Sequence, residues 1–158
     1  MAGKGFYVRS TPVTLTASTP KTAIEVTPAV NDQIFIREIN IAGSAQASGT
    51  DAGVHVVLSR ATGTETAVGT TVILVADDPK NGLPFATTAL NTITTEPTTV
   101  TVIDEFYIQP ESGLYPIKYP LANPLVISGG TSGVLGHFYI TLTAGSTETI
   151  TVTVRGEE

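Results

Sequence analysis

Two histidines, His55 and His137, are the imidazoles of this chain that could serve a hydroxyl nucleophile as general base. A serine or threonine nucleophile needs such a base, and the base needs a carboxylate that orients it. His55 alternates outward on a segment whose other face is apolar, and His137 lies similarly between Gly136 and Phe138. This placement is typical of structural histidines that are exposed or locally hydrogen-bonded, and the sequence contains no G-x-S-x-G motif.

Adjacent carboxylates occur at Asp77-Asp78 and at Asp104-Glu105. Neighbouring residues on a strand point to opposite faces, so neither pair can converge on one bond as the acid and base of a glycosidase do. Asp77, Asp78 and Asn81 offer oxygen ligands, but their spacing does not follow a Ca²⁺-binding loop. We therefore expect solvated turn and edge charges with no cofactor and no metal, while a weak calcium site at Asp77 and Asp78 stays open.

The amino-acid composition excludes further kinds of catalytic site. The chain has no Cys, which excludes disulfides, thiolate metal sites and a cysteine nucleophile. The glycine-rich stretch at residues 129–133 has neither the lysine nor the following helix of a phosphate-binding loop, and its pattern predicts a hairpin loop. We therefore predict that the protein is not an enzyme.

Charge and hydropathy restrict the partners. The formal net charge is −6 at pH 7, and the basic residues form no cluster that could displace counterions from phosphates, which argues against nucleic-acid binding. The most apolar run, residues 72–76, is far shorter than the roughly 20 residues of a membrane helix. Residues 1–20 lack the apolar region of a secretory signal, so we expect an unprocessed chain with no membrane contact.

The composition predicts an all-β fold. About a third of the 158 residues are Thr, Val or Ile, whose branched side chains favour pleated strands over helices. Alternation of polar and apolar residues between turn signals indicates about nine short strands, which is typical of an antiparallel β-sandwich or jelly roll. Only 14% of the residues are charged, against about a quarter in ordinary soluble domains, so much of the surface must be uncharged.

Three segments give more specific expectations about the strands. The isoleucines of residues 34–41 change phase at Arg37-Glu38, which predicts a β-bulge there, or a bend where the strand passes between sheets. Residues 71–76 are the best candidate for a fully buried central strand. Residues 85–93 combine helical spacing with three threonines, and we allow at most one helical turn there.

Two segments have the composition of contact surfaces. Residues 107–124 contain three Tyr and four Pro, and Tyr on a Pro-stiffened backbone supplies contact area at low entropic cost. Tyr107, Tyr115 and Tyr119 are therefore predicted to contact a partner. A long crossover that covers one end of the sandwich explains this segment equally well.

The other contact segment is the amino terminus. We predict that residues 1–10 form an arm ahead of a single β-sandwich domain at residues 11–158. Phe6, Tyr7 and Arg9 of this arm would become ordered only against a partner or a neighbouring strand. A frayed terminus is the alternative.

Several short stretches of the sequence carry a resemblance to known proteins. They lie at residues 16–26, 34–41, 54–60, 94–98, 108–113 and 119–121, and in a last strand that ends near Glu157-Glu158. With these stretches the chain resembles small structural proteins of tailed bacteriophage virions, most closely capsid decoration (cement) proteins. Proteins of this kind are β-sandwich subunits that sit as trimers on the outside of a capsid lattice and brace it.

The resemblance implies a non-enzymatic virion protein. It would be made in the host cytoplasm, would form a homotrimer, and would bind the major capsid protein on the capsid exterior in many copies, stabilising the shell by mass action and multivalency. A tail or head-fibre component is an alternative within the same group. Outside it, a monomeric carbohydrate- or surface-binding module could use Tyr115 and Tyr119 as a stacking patch, whereas a cell-surface filament subunit is disfavoured by the missing signal segment.

Overall fold

The computed structural model describes residues 4–43, 53–63, 67–78, 84–109, 113–131 and 134–158. Within these ranges the chain is all-β, with strands arranged in two antiparallel sheets and with no helix. The predicted fold class is therefore confirmed at this level. Residues 43–53 are rich in glycine and small polar residues, a composition that predicts a solvent loop, and they fall almost entirely outside the described residues.

The first sheet, sheet A, has seven strands. Its main path runs β10-β4-β14-β1-β7, while β11 also pairs with β4 and β2 also pairs with β14. Its strands are β1 (Gly5–Arg9), β2 (Val13–Leu15), β4 (Gln33–Gly43), β7 (Val75–Ala76), β10 (Leu114–Lys118), β11 (Leu125–Ser128) and β14 (Glu148–Glu157).

The second sheet, sheet B, also has seven strands and runs β6-β8-β3-β13-β5-β9, with β12 paired to β13. Its strands are β3 (Lys21–Thr27), β5 (Val54–Gly63), β6 (Val68–Val72), β8 (Thr88–Thr95), β9 (Thr101–Ile108), β12 (Gly130–Thr131) and β13 (Val134–Ala144).

The prediction of about nine strands was therefore wrong, since the described residues contain fourteen. Two of the additional strands, β7 and β12, are only two residues long, and no alternation can be seen over so short a stretch. The strand β8 spans a segment for which we allowed a helical turn. Ala89 and Ile93 are buried in this strand, and Thr92 between them departs from the extended conformation with a φ of 48°.

The long strand β4 contains the predicted bulge. Its pairing with β14 shifts where Arg155 lies opposite Glu38 and Gly156 opposite Ile36, so Arg37 is the additional residue. The bulge changes the phase of the side chains, and the isoleucines on both sides of it point into the core. The strand continues in the same sheet, so the alternative of a bend between sheets was wrong.

The inward faces of both sheets contribute to one hydrophobic cluster, whose members come from most of the long strands. In sheet A these are the isoleucines of β4 and the apolar positions of β14; in sheet B they are the apolar positions of β3, β5 and β13. The alternation in the sequence identified this core correctly. Fully buried members include Ile24, Ile34, Ile36, Ile39, Leu58, Phe138, Ile140, Leu142, Ile150, Val152 and Val154.

The predicted arm is not a separate element. Residues 5–9 form β1, which lies between β14 and β7 in sheet A. Its backbone pairs with Arg155 and Val75 on either side of Tyr7, so the segment becomes ordered within its own chain. Ser10 continues the contact, since its Oγ accepts the Val152 amide at 2.9 Å.

The predicted buried central strand at residues 71–76 was also wrong. The segment divides between β6, at one edge of sheet B, and β7, at one edge of sheet A, and Ile73 and Leu74 cross from one sheet to the other. Leu74 is buried, but Ile73 is 84% exposed. An uninterrupted apolar run is typical of a central strand, and here it lies at a lateral edge instead.

Candidate functional site

The molecule has two lateral edges. At one edge β9 and β10 approach each other, and the rings of Phe106 and Tyr115 stack with their centroids 6.1 Å apart. At the other, β6 and β7 are joined by residues 73–74. We name the first the tyrosine edge and the second the crossing edge.

The tyrosine edge exposes five large hydrophobic side chains on strands β9 and β10 and on the segment after β10. They are Val102, Tyr107, Leu114, Tyr115 and Leu121. Because β9 and β10 each pair with a single described strand, part of the backbone at this edge is also unpaired. Unpaired strand edges with exposed apolar side chains are the features through which sheets associate.

Tyr107 is the most exposed aromatic residue here, with a relative accessibility of 73%. It lies directly opposite His55 on β5, and the two rings stack 4.7 Å apart at an interplanar angle of 21°. Oε2 of Glu105 is 3.4 Å from Nε2 of the same imidazole. His55 thus holds the Tyr107 ring in one orientation at the surface, a local structural role consistent with its predicted one.

Tyr115 and Tyr119 are less exposed than Tyr107. The Tyr115 ring is stacked on Phe106, and Tyr119 is half-buried against the core. Burial, with a smaller contribution from the negative charge of Asp104, raises the pKa of Tyr119 above its ordinary value of 10.0. The three predicted tyrosines therefore lie along one side of the molecule, with Tyr107 the most accessible and Tyr119 the least.

Arg37, the bulge residue of β4, positions the segment after β10. Its Nε and Nη2 donate to the two carboxylate oxygens of Glu157 at 3.3 and 2.9 Å, and its Nη1 donates to the carbonyl of Leu121 at 3.3 Å. Its own carbonyl accepts the amide of Tyr119 at 2.9 Å. The phase change in β4 thus supplies the side chain that orients the tyrosine edge.

The contact residues predicted at the amino terminus do not form one surface. Phe6 is fully buried and packs edge-to-face on Phe85 at 5.7 Å, so its prediction as a partner contact was wrong. Its position in β1 directs its ring into the core, while Tyr7 is half-buried and Arg9 is exposed. Tyr7 and Arg9 lie far in the strand order from β10, and the structure does not join them to the tyrosine edge.

The crossing edge has an apolar groove that the sequence did not indicate. Its volume is about 520 Å³, and it is lined by residues 71–76, 84–85 and 87–88, none of which is charged. Val68, Ile73 and Val75 stand exposed on this edge. The sequence carries no signal for this exposure, because a run of apolar residues favours burial until the neighbours of the strand are known.

His137 belongs to a buried polar cluster on the face of sheet B that points away from sheet A. Its Nδ1 is 2.7 Å from Oε1 of Glu25, and the hydroxyl of Thr27 donates to the same oxygen at 3.0 Å. The Tyr139 ring stacks on the imidazole at 6.0 Å. The prediction of a locally hydrogen-bonded His137 is confirmed, but burial of Glu25 was missed, because a lone Glu in an alternating strand is typical of an exposed position.

The possible calcium site is not assembled by the described residues. Asp77 is exposed and its amide donates to the carbonyl of Gly5 at 3.0 Å, whereas Asn81 lies outside the described ranges. Within those ranges no three His, Asp or Glu side chains converge on a metal position.

A search of the same residues for helices long and apolar enough to cross a membrane also finds none.

Comparisons with known proteins are sparse. No protein-family model matches this chain, and no curated protein matches it. Among solved structures, it is similar to a chain of the "Crystal structure of the T13 IBDV viral particle", with 12% sequence identity and a TM-score of 0.23. The alignment covers 99% of this chain but 40% of the other, and a likeness at that TM-score carries no argument about fold or function.

Proposed function

We propose that this protein is a non-enzymatic structural subunit that associates with copies of itself through its two lateral edges and braces a phage capsid as a decoration protein. The observation that carries the proposal is that one chain presents both an exposed aromatic edge and an uncharged apolar groove on opposite sides. The sequence resemblance to decoration proteins supplies the virion setting.

The two surfaces suit a head-to-tail interface. Tyr107 and Leu114 project from the tyrosine edge, whereas the groove at the crossing edge is concave and lined by Ile73, Leu74 and Phe85. A heterologous interface between two different surfaces forms a closed ring when the rotation between subunits permits it. A ring of three subunits is the form that the resemblance implies.

Electrostatics favour this pairing over association through other faces. The net charge of −6 makes free subunits repel one another weakly, and the cores of protein interfaces are depleted of charge. None of the residues that line the groove is charged, so its walls bring no carboxylate into the interface. The low proportion of charged residues in the sequence is consistent with a surface partly committed to neighbours.

The experiment measures the mass of the wild-type chain and of three single variants by analytical ultracentrifugation. Tyr107→Asp changes the tyrosine edge, Ile73→Asp changes the groove, and Thr14→Asp is the control, at an exposed position of β2. We expect a trimer for the wild type and the control. For the two edge variants we expect dissociation constants at least about tenfold larger, which corresponds to a loss of about 1.4 kcal/mol of binding free energy. A wild type that stays monomeric contradicts the proposal.

Mixing the two edge variants tests the head-to-tail geometry. The Tyr107→Asp chain keeps an intact groove and the Ile73→Asp chain keeps an intact tyrosine edge, so an equimolar mixture has one functional interface. We expect the mixture to form heterodimers although each variant alone is monomeric. Failure to form heterodimers contradicts the head-to-tail interface. The mass of the wild type then shows whether the chain self-associates through another surface.

Capsid binding is tested separately on virions purified by density-gradient centrifugation. We expect the chain in DNA-filled heads, in a fixed ratio to the major capsid protein, and accessible to antibody on intact particles. Its absence from heads, or its presence only in tails, contradicts the decoration role, and the second result supports the alternative of a tail or fibre component.

Within this proposal we classify the fold as a β-sandwich with jelly-roll-like connections. The supporting feature is the chain path, which passes from sheet to sheet at most successive connections, as between β3, β4 and β5. Such crossings keep consecutive strands on opposite faces of one core.

One observation favours carbohydrate binding as a second candidate function. The Tyr107 ring is open to solvent and is held flat by His55, beside the carboxylate of Glu105, an arrangement that can stack on a sugar and hydrogen-bond its hydroxyls. A glycan array distinguishes the two functions. Binding that is lost in Tyr107→Ala and kept in Thr14→Asp, by a chain that stays monomeric, would favour this candidate over capsid decoration.

A further inference from the structure

The outer face of sheet A, which points away from sheet B, carries two adjacent rows of side chains that cross the paired strands. Both rows point outward, because they alternate with core positions such as Ile39 and Val154. The first row runs from β10 to β7 through Lys118, Glu38, Arg155, Tyr7 and Val75. The second row runs from β10 to β1 through Pro116, Asn40, Thr153 and Arg9. We name these two rows the cationic patch.

The cationic patch brings together three basic residues that are far apart in the sequence. Arg9, Lys118 and Arg155 are all exposed. Glu38 is the one acidic residue of the two rows, and its Oε2 is 4.0 Å from Nη1 of Arg155. No described carboxylate lies within 4.0 Å of Arg9 or Lys118. Three positive charges and one negative charge give the patch a formal charge of +2, on a chain whose net charge is −6.

The positive charge is confined to these two rows. In the next row of the same face, Glu157 is paired with Arg37 at 2.9 Å. The side chain of Asp77 stands beside Gly5 at the corner of the sheet. The face therefore has a cationic centre and a neutral to acidic end, which gives a docking partner a defined orientation.

The uncharged residues of the patch suit contact with a protein. Tyr7 is half-buried and Val75 is 43% exposed, while Asn40 and Thr153 offer hydrogen-bonding groups. Tyr and Arg are the residue types enriched in protein interfaces. From strand spacing and length, the face measures about 19 Å by 33 Å, or roughly 600 Å². That area approaches the roughly 800 Å² that each partner buries in a specific interface of ordinary size.

The charge pattern selects the kind of partner. Two copies of this face would repel each other, because both are positive at the centre. A nucleic acid would bring phosphates against the carboxylate of Glu38 in the middle of the patch. An acidic protein surface can pair its carboxylates with Arg9, Lys118 and Arg155, and can place a basic group beside Glu38.

We propose that the outer face of sheet A docks onto an acidic surface of a second protein. Self-association through the lateral edges leaves this face free, and the acidic surface is then that of the capsid lattice. The identity of the partner, but not the docking face itself, rests on the proposed function. Tyr7 and Arg9, which were predicted as contact residues and do not reach the tyrosine edge, belong to this surface.

The experiment titrates the full-length ¹⁵N-labelled chain with a hexaglutamate peptide with blocked termini and, in a separate series, with a short DNA duplex, both at constant ionic strength. We expect the peptide to cause saturable shifts of the amides of Tyr7, Arg9, Lys118 and Arg155. Shifts that do not saturate, or that spread evenly over exposed residues, overturn the proposal. Tighter binding of the duplex than of the peptide at the same residues overturns the choice of a protein partner.

Two double variants with equal net charge separate this face from general attraction of anions. Arg9→Gln/Arg155→Gln removes two charges from the patch, and Lys21→Gln/Arg60→Gln removes two from strands of sheet B. We expect the affinity for the peptide to fall at least about tenfold in the first variant and less than about threefold in the second. Both should keep the urea midpoint of the wild type. Equal losses of affinity overturn the proposal.

Heads stripped of this chain test the identity of the partner by co-sedimentation. We expect the wild type and the Lys21→Gln/Arg60→Gln variant to rebind, and Arg9→Gln/Arg155→Gln to bind at least about tenfold more weakly while it self-associates as the wild type does. Equal binding by all three overturns this face as the capsid contact, although capsid decoration then stands. If none of them binds, the proposed function fails, and the peptide titration still decides whether the face takes an acidic partner.

Discussion

Nδ1 of His137 lies 2.7 Å from Oε1 of Glu25, and both side chains are almost fully buried. The two residues stand on neighbouring strands, β13 and β3, on the face of sheet B away from the main core, with Thr27 bonded to the same carboxylate oxygen. Removing one member of a buried hydrogen-bonded pair is costly, because the other member then stays buried without a hydrogen-bond partner.

We expect His137→Ala and Glu25→Ala each to lower the free energy of unfolding by about 3 kcal/mol. The double variant should lose clearly less than the sum of the two, since removing both partners leaves no isolated buried group. Urea unfolding of the four proteins gives the coupling energy. Additive losses would show that the pair contributes no specific interaction.

Substitution of Phe6 should affect stability more than it would if residues 1–10 were a free arm. Its buried ring packs on Phe85, and β1 is hydrogen-bonded to a strand on each side. We expect Phe6→Ala to cost about 3 kcal/mol and Arg9→Ala, at the exposed end of the same strand, less than about 0.5 kcal/mol. Thermal and urea unfolding measure both, and equal small losses would indicate that β1 is dispensable.

Deleting residues 1–10 extends the same test to the whole strand. The deletion removes β1 from between β14 and β7, so we expect loss of cooperative unfolding and of dispersed amide signals in an NMR spectrum. A truncated chain that unfolds as the full chain does would restore the arm interpretation.

Glu158 makes stability depend on pH. Its burial alone raises the pKa, but hydrogen bonds from Thr87 and from the amide of Ala86, together with the charge of Lys4, outweigh burial and lower the pKa below its ordinary value of 4.5. A lowered carboxyl pKa contributes stability that is complete above the unfolded value and is lost as pH falls through the folded value.

We therefore expect the wild type to lose more stability than Glu158→Gln does as pH falls below 4.5, with parallel curves above that pH. Urea midpoints measured from about pH 6 to about pH 3 show the difference. Curves that stay parallel throughout would contradict the assignment to Glu158.

Gly136 lies on β13, at the point where the segment that joins β11 to β12 packs against this strand. A Cβ atom at this position would lie 1.8 Å from the carbonyl oxygen of Ser128, which is backbone and cannot rotate away. Gly136→Ala should therefore cost at least about 2 kcal/mol. Gly113→Ala is the control, because its Cβ would meet nothing within 4 Å and only its φ of 84° opposes the change, at about 1 kcal/mol. Equal losses measured by urea unfolding would contradict the close packing.

Alternation of polar and apolar residues was enough to predict the all-β class and most of the core. Ile24, Ile140 and Val152 are buried because a period of two assigns each side chain to one face, a local property that every strand carries in its own sequence. The bulge at Arg37 was predictable for the same reason, because it changes that phase.

Tertiary structure alone decided which strands are neighbours. It thereby also decided where the candidate sites lie. The run at residues 72–76 is as apolar as a central strand, yet Ile73 is exposed because β6 and β7 have neighbours on one side only. Glu25 and His137 are 112 residues apart in sequence and meet because β3 pairs with β13. The pattern of a strand indicates which of its faces is buried, whereas its partners depend on contacts between residues far apart in the chain, which no local pattern encodes.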